Sequence, residues 1–505
     1  MSRTSKSIRN IKYALIGQAS GLLISFISRM VFVKILGAEY LGINGLFTNI
    51  LSILSLLELG FGSAIVYSMY KPLANKDDKK VIALMELYKK GYISIGLAIG
   101  ILGLLLTPFL SFFISETPDI PNIEVMYLMF VLNSSLTYFF SYKRSLIIAD
   151  QKRYIATFYR YGFYFILNVL QIIALILTGN YFLFLGLLIV NTLLENIFIS
   201  RKANNLYPFL KEKNTNELPA DEKKMIFRNV RAMMYHKVGS TIVMGTDNIL
   251  ISKFFGLVSV GLYSNYLLII NSLNTMFGLL FQSVTASIGN LGATEKLEKY
   301  RFIFNVIDMV GFWIFGFSSI SLIILFNPFI SLWIGSEFLF PIEIVFIIVI
   351  NFYITGMRRS VLSFRDALGL FWNDRYKPIF EVVVNLVMSI ILADIFGIVG
   401  IFLGTFISTL TVCFWVEPLV LYKHGLKSSV KPYFIKYIKH TVLLFIIGYV
   451  TWLISHLITD MSIIGFLGKL VICAIIPNLL FTFVFWKTKE FQYLFSVFKR
   501  RIKRS

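Results

Sequence analysis

Apolar runs follow one another along the whole of this chain. Fourteen of them, at 11–36, 42–70, 90–114, 123–148, 155–178, 181–203, 230–255, 259–288, 303–326, 342–368, 378–396, 398–422, 436–458 and 463–486, are about as long as a helix that crosses roughly 30 Å of hydrocarbon. In lipid, every backbone polar group has to be satisfied inside its own segment, which leaves helices for runs of this length. The expected fold class is therefore an all-α polytopic membrane protein of about fourteen transmembrane helices. Composition agrees, since only 15% of residues are charged against about 25% in a typical soluble domain.

The connections between runs alternate in charge. Odd-numbered ones, such as "GAEYLG", "SETPDIPN" and "ITDMS", are short and carry no Lys or Arg. Even-numbered ones, such as "KPLANKDDKK", "ADQKRY" and "YKHGLKSSVKPYFIKYIK", are basic, as are both ends. The positive-inside rule places the basic loops and both termini in the cytoplasm. It also accounts for the formal net charge of +21: the cations face anionic membrane lipids, and nucleic acid is not needed as a partner. The start lacks a short apolar core followed by a small-residue cleavage site, so no cleavable signal peptide is expected.

The chain also repeats itself. Lys34, Gly37 and Gly42 recur 219 residues later as Lys253, Gly256 and Gly261. "TPFLSFFI" at Thr107 recurs as "NPFISLWI" at Asn327, and Arg153 and Glu195 recur 222 residues later as Arg375 and Glu417. Residues 1–204 and 226–425 thus read as two six-helix lobes of the same orientation, joined by a cytoplasmic linker at 205–225. Residues 426–505 add two further helices and a basic tail. Parallel six-helix repeats suit a molecule that rocks one half against the other.

Polar residues inside the spans supply the candidate site. At about 100° per residue, Gln18, Ser25 and Arg29 share one face of span 1. An Arg near a helix centre costs roughly 2.5–3.5 kcal/mol to insert, so Arg29 is expected to line a hydrated cavity or to pair with Glu58 or Asp247. Lys34 and Lys253 lie toward the outer ends, where they can snorkel to headgroups. Span 7 aligns His236, Ser240 and Asp247; Asp247 and Glu58 are the candidate coupling acids for H+ or Na+. Span 8 carries a stripe of Asn271, Asn274, Gly278, Gln282 and Thr285, suited to a polar solute. Span 5 carries Arg160, Tyr164, Gln171 and Thr178, and span 10 carries Arg358, Arg359 and Arg365. Arginines near a cytoplasmic mouth suit bidentate phosphate binding. Glu195 and Glu417, at cytoplasmic helix ends, are expected to pair with nearby Lys or Arg. Asp308, near the start of span 9, is favoured by the helix dipole.

Enzyme signatures are missing. The sequence holds no "GxxxxGK[ST]" run, no "HExxH" and no Cys/His cluster, and neither a catalytic residue, a metal nor a cofactor is expected. Cys413 and Cys473 read as packing residues in apolar spans.

Three stretches carry a family resemblance: "LGAEYLGINGLFTNILSILSLLELGFGSAIVYSMYKPLA", "ADQKRY" and "RYKPIFEVVVNLVMSIILADIFGIVGIFLGTFISTLTVCFWVEP". They resemble the Wzx-type polysaccharide flippases of the MOP superfamily, which also holds MATE drug exporters and lipid II flippases. The resemblance covers nearly the whole chain. It implies a bacterial cytoplasmic-membrane flippase that moves an undecaprenyl-diphosphate-linked oligosaccharide outward for capsule, O-antigen or exopolysaccharide assembly. A polysaccharide polymerase and other assembly proteins would be its partners, and H+, Na+ or the membrane potential would drive it. It also implies a cationic cavity, which Arg29 and Arg160 could supply; Asp247 departs from a purely cationic one. A cation-coupled MATE-like exporter, a lipid II flippase and an oligosaccharide polymerase are the alternative readings. The polymerase would need a sizeable outer loop, and the sequence has none.

Overall fold

The computed structural model describes residues 3–58, 60–114, 120–212, 218–294, 296–460 and 462–502. Among these residues all regular structure is helical, and the chain packs as two units, Met1–Gly261 and Leu262–Ser505. The first unit holds α1 (Arg3–Leu54), α2 (Phe61–Asn75), α3 (Asp78–Leu106), α4 (Leu110–Phe113), α5 (Ile123–Ala149), α6 (Arg153–Thr178), α7 (Tyr181–Leu206) and the start of α8 (Ala220–Thr294). The second holds the rest of α8, α9 (Leu297–Trp333), α10 (Ile342–Ala367), α11 (Lys377–Phe396), α12 (Ile398–Ser408), α13 (Phe414–Val420), α14 (Lys431–His456), α15 (Ile463–Phe485) and α16 (Lys489–Ile502).

α1 and α8 run for 52 and 75 residues. At 1.5 Å per residue each is more than twice as long as a bilayer core is thick. Each therefore turns a corner, and both corners are glycines: Gly37 (φ 85°, ψ −177°) and Gly256 (φ 80°, ψ 171°). That backbone region is essentially closed to residues with a Cβ. The two corners are the repeat mates seen in the sequence. Eleven helical ranges among the described residues are long and apolar enough to cross a membrane, and a pair bent by 45°, Ile123–Phe139 with Ser141–Ala149, makes one more. Two of the eleven, Ile16–Glu58 and Gly245–Gln282, contain the glycine corners.

Beyond the corners, the two arms meet inside the first unit. A Cβ on Gly42 would lie 1.9 Å from the carbonyl oxygen of Leu257, and one on Gly261 would lie 2.2 Å from that of Ala38. Gly42 and Gly261 are repeat mates, and so are Ala38 and Leu257; the contact is reciprocal. Such an approach is open only to glycine. This packing carries the first unit on to Gly261, beyond the 205–225 linker that separates the repeats in sequence. The units that pack and the units that were duplicated have different ends.

In the second unit, 61% and 67% of the most apolar stretches of α9 and α10 are buried, against 22–28% for α3, α6 and α7. α10 is enclosed by α9, α12 and α13, and α9 is covered by α10 as well as by the added helices α14 and α15. α16 packs there too, with Phe491 stacked on Trp313 at 5.9 Å.

Candidate functional site

α1 and α6 pack face to face because Gly17 and Gly21 make room for an aromatic ring. A Cβ on Gly17 would come within 2.2 Å of the Tyr161 ring, and one on Gly21 within 3.1 Å. The Tyr161 hydroxyl donates to Gln18 Oε1 at 2.7 Å. Farther along the same pair, Arg29 is half-buried and in electrostatic contact with Tyr164. One turn toward the start of α6, Arg160 is exposed and makes no hydrogen bond or ion pair within the described residues. Tyr164 thus touches Arg29 on α1 and lies one helical turn from the exposed Arg160 on α6.

Other residues expected on this face have local roles. Ser25 donates to its own helix, at Leu22 O (2.8 Å). Gln171 is a correction: it is buried, and its amide donates to Phe184 O at 3.0 Å. It ties α6 to α7 and does not line a path. Asp247 is buried at 8% exposure, with an interaction of its own in the fold. The side chains of His236 and Ser240 lie outside the described residues. Lys34 is exposed, as expected for a snorkelling residue, whereas Lys253 sits over the Phe112 ring at 4.8 Å.

Glu58 stands where span 2 breaks. α1 gives way to a tight turn at Ser55–Glu58, and α2 restarts after left-handed Gly60 (φ 75°). Into this gap Tyr92 donates a 2.7 Å hydrogen bond to Glu58 Oε1. Tyr88 donates to Tyr92 at 3.1 Å and shares a 2.9 Å bond with Ser145. Gly62 leaves the space, since a Cβ there would sit 2.6 Å from the Tyr92 hydroxyl and 3.0 Å from Glu58 Oε1. Broken helices within a membrane expose unpaired backbone, and a carboxylate with a chain of hydroxyls beside such a break suits ion or proton binding.

The second unit handles its charges differently. On α8, Asn271 and Gln282 are exposed, Asn274 is half-buried, and a side chain on Gly278 would meet nothing within 4 Å. This part of the expected stripe presents open amides. Thr285 is satisfied by its own helix, at Phe281 O (2.9 Å). Arg358, expected at a phosphate, is a second correction. Its guanidinium grips Glu417 through two bonds of 2.9 and 2.7 Å and reaches Glu381 at 3.7 Å. Lys377 joins them, at 2.7 Å from Glu417 and 3.1 Å from Glu381. Two cations and two anions balance in a site where Glu417 has no exposure. The chain between α12 and α13 widens into a π turn, Thr409–Cys413, just before Glu417.

Arg365 is likewise paired, with Asp374 (2.6 Å) and Asp366 (2.8 Å). Arg359 is half-buried and has no ion pair or hydrogen bond within the described residues. In the first unit the repeat mate of Glu417, Glu195, takes Arg144 at 2.5 Å, so the pairing expected for both glutamates is present. Asp308 is buried deeper than a dipole role requires, held by Lys436 (3.1 Å) and by the Ser360 hydroxyl (3.0 Å). No group of three or more His, Cys, Asp or Glu side chains that could hold a metal occurs among the described residues. Both cysteines are buried and free.

Sequence reasoning missed Lys377, Glu381, Tyr88, Tyr92 and Tyr161. The i, i+4 spacing of Lys377 with Glu381 and of Tyr88 with Tyr92 was the available signal.

No family model matches this chain, and no curated protein matches it. Solved structures do. The lipid II flippase MurJ in an inward closed conformation matches 94% of this chain and 99% of its own, with a TM-score of 0.66 and 14% identity. An inward-facing multidrug resistance MATE family transporter of the MOP superfamily matches 81% of this chain and 99% of its own, with a TM-score of 0.63 and 15% identity. An outward-facing MATE structure gives 84%, 96%, 0.57 and 15%. At these identities the likeness is one of fold. The chain is a multi-pass membrane protein with the architecture of MurJ and the MATE transporters.

Proposed function

We propose that this protein is a Wzx-like flippase that carries an undecaprenyl-diphosphate-linked oligosaccharide from the cytoplasmic to the outer leaflet of a bacterial cytoplasmic membrane by alternating access. One observation carries the reading: the exposed, unpaired Arg160 stands one turn from Tyr164, which contacts Arg29, on the paired α1 and α6. A diphosphate offers the oxygens that guanidinium groups bind with paired hydrogen bonds. Within the second unit, the amides of Asn271, Asn274 and Gln282 are of the kind that suits a polar, uncharged solute. No bond is made or broken in such a step, so the protein would not be an enzyme.

The flippase among the matched structures covers more of this chain than the exporters do, 94% against 81% and 84%. That supports a lipid-linked cargo. The basic loops orient both termini toward the cytoplasm, where such units are built. The polymerase that extends the exported units would be a partner.

The test uses purified protein in liposomes with a fluorescent undecaprenyl-diphosphate oligosaccharide, read by quenching of the outer leaflet. Export that depends on protein and falls with Arg160→Ala supports the proposal. Export equal to that of empty liposomes overturns it. A cation-coupled exporter of small molecules is the second reading, favoured by Glu58 at its broken helix and by buried Asp247. In either reading those acids would couple transport to H+, Na+ or the membrane potential. Transport of a cationic dye, driven by an H+ or Na+ gradient, in liposomes that do not move the lipid-linked sugar would favour the exporter.

A further inference from the structure

The second unit contains a cavity of about 420 Å³ between α9, α10, α12 and α14, which falls in the range of small-ligand sites. It belongs to neither the α1–α6 face nor the charge cluster. One wall is α14, a helix added after the internal repeat, so the first unit has no counterpart.

Its lining has two features that seldom occur together. No charged side chain contributes, and most of the wall is aliphatic or aromatic. Yet two hydroxyls on that wall lack a hydrogen-bond partner: Ser319 Oγ, on a residue 3% exposed, and the Tyr437 hydroxyl, on a residue 9% exposed. A third, on Tyr353, makes only a long contact of 3.5 Å to Thr441. An unsatisfied buried hydroxyl costs roughly 1–3 kcal/mol, and hydrocarbon alone cannot relieve it. The cavity is not sealed, because Phe445, Tyr449 and Trp452 on α14 are exposed at 53%, 61% and 43%. Along α14, Tyr437 and Trp452 are about 22 Å apart at 1.5 Å per residue. The volume spread over that length amounts to a channel about one hydrocarbon chain wide.

We infer that this cavity binds an uncharged lipid, a single hydrocarbon chain with an alcohol or carbonyl oxygen that bonds to Ser319 and Tyr437. A headgroup with a fixed charge is excluded by the lining, since it would find no counter-charge and would pay heavily for desolvation. A free hydroxyl both donates and accepts, so alcohol and carbonyl heads both fit. The site is separate from the proposed transport path and stands whatever the transported substrate is.

The test is photo-cross-linking of the full-length protein in nanodiscs with hexadecanol carrying a diazirine, against a matching hexadecane probe. Saturable labelling that maps to α10 or α14 is expected, with the alcohol labelling more strongly than the alkane. The double variant Ser319→Ala/Tyr437→Phe should weaken the alcohol about five-fold, the loss of about one net hydrogen bond, and leave the alkane unchanged. Gly448→Leu should abolish both signals. Gly448 lines the cavity, and a Cβ there meets Ile320 Cγ1 at an ordinary 3.6 Å, so the larger side chain extends into the opening. If that variant is not monodisperse, Ile350→Trp replaces it. Labelling that does not saturate, that is equal for alcohol and alkane, or that survives filling of the cavity would overturn the inference.

Discussion

The two units carry related helices and treat their arginines in opposite ways. In the second, Arg358 and Arg365 are locked to carboxylates, and Glu417 is buried beneath two cations. In the first, Arg144 is paired with a half-buried glutamate, Arg29 is half-buried beside Tyr164, and Arg160 is exposed with no ion pair or hydrogen bond among the described residues. Duplication gave both copies a glutamate at the same place. One copy then built a neutral, closed cluster around it, and the other pairs it with Arg144 alone among the described residues and leaves Arg160 exposed. Charge that is neutralised inside a membrane protein holds helices together; charge left open can hold a ligand. If the substrate carries an anionic headgroup, as proposed, this asymmetry makes Arg160 the first residue to test.

The largest expected effect tests the closed side. Glu417→Ala strands Arg358 and Lys377 with only Glu381 between them. Removing one partner of a buried ion pair costs about 3–5 kcal/mol, so the variant should lose most of its folded yield or unfold far earlier in a detergent melt. Glu195→Ala, at the half-buried mate, should cost less than half as much. Equal losses would remove the distinction between the units.

Arg160→Ala tests the open side. The residue is exposed and has no partner among the described residues, so stability should move by less than about 0.5 kcal/mol. Transport of a diphosphate-linked substrate should nonetheless fall about ten-fold or more, the worth of a hydrogen bond to a charged group. Arg160→Lys should recover only part, because an ammonium cannot make the paired contact. A variant that melts early, or one that transports normally, would break the assignment.

Much of the fold could be read in the sequence, and the reason is physical. Span number follows from apolar length, and the repeat follows from residues such as Gly37 and Gly256 that the backbone cannot replace. The site was less legible. Periodicity placed Arg358 and Gln171 on polar faces, but a face does not say which polar group meets it. Glu381 and Glu417 claim Arg358 from other helices, and the Phe184 carbonyl claims Gln171. Arg160, placed by the same reasoning, has no ion pair or hydrogen bond among the described residues, and its role rests on the transport test. Reading such sites needs the partner, which periodicity along one helix does not contain.

The reciprocal glycine contact gives a smaller and more symmetric test. Gly42→Ala and Gly261→Ala each push a methyl group into a carbonyl of the opposing arm, Leu257 or Ala38. Because backbone has to move, each should destabilise by about 1–3 kcal/mol, and the two should match. Their double variant should cost less than the sum, since one displacement relieves both clashes. Additive losses in a melting experiment would mean that the two contacts are independent.

The smallest expected effect separates binding from coupling within the first unit. Tyr92→Phe removes one hydroxyl, the donor to Glu58 at 2.7 Å, and leaves the ring in its cluster with Phe61 and Tyr88. Loss of a single hydrogen bond to a charged group costs about 1.5–3 kcal/mol when the acceptor stays buried. Here Glu58 lies at a helix break and is half-buried, so the cost should fall near 1 kcal/mol. Stability should therefore change little. If Glu58 carries the coupling ion, Glu58→Gln should make transport insensitive to an imposed H+ or Na+ gradient, and Tyr92→Phe should shift that sensitivity without abolishing it. Neither variant should alter substrate affinity if, as proposed, Arg160 holds the substrate. A Glu58→Gln protein that keeps its gradient dependence would leave Asp247 as the coupling acid of the first unit and reduce the Tyr88–Tyr92 chain to a structural brace across the broken span.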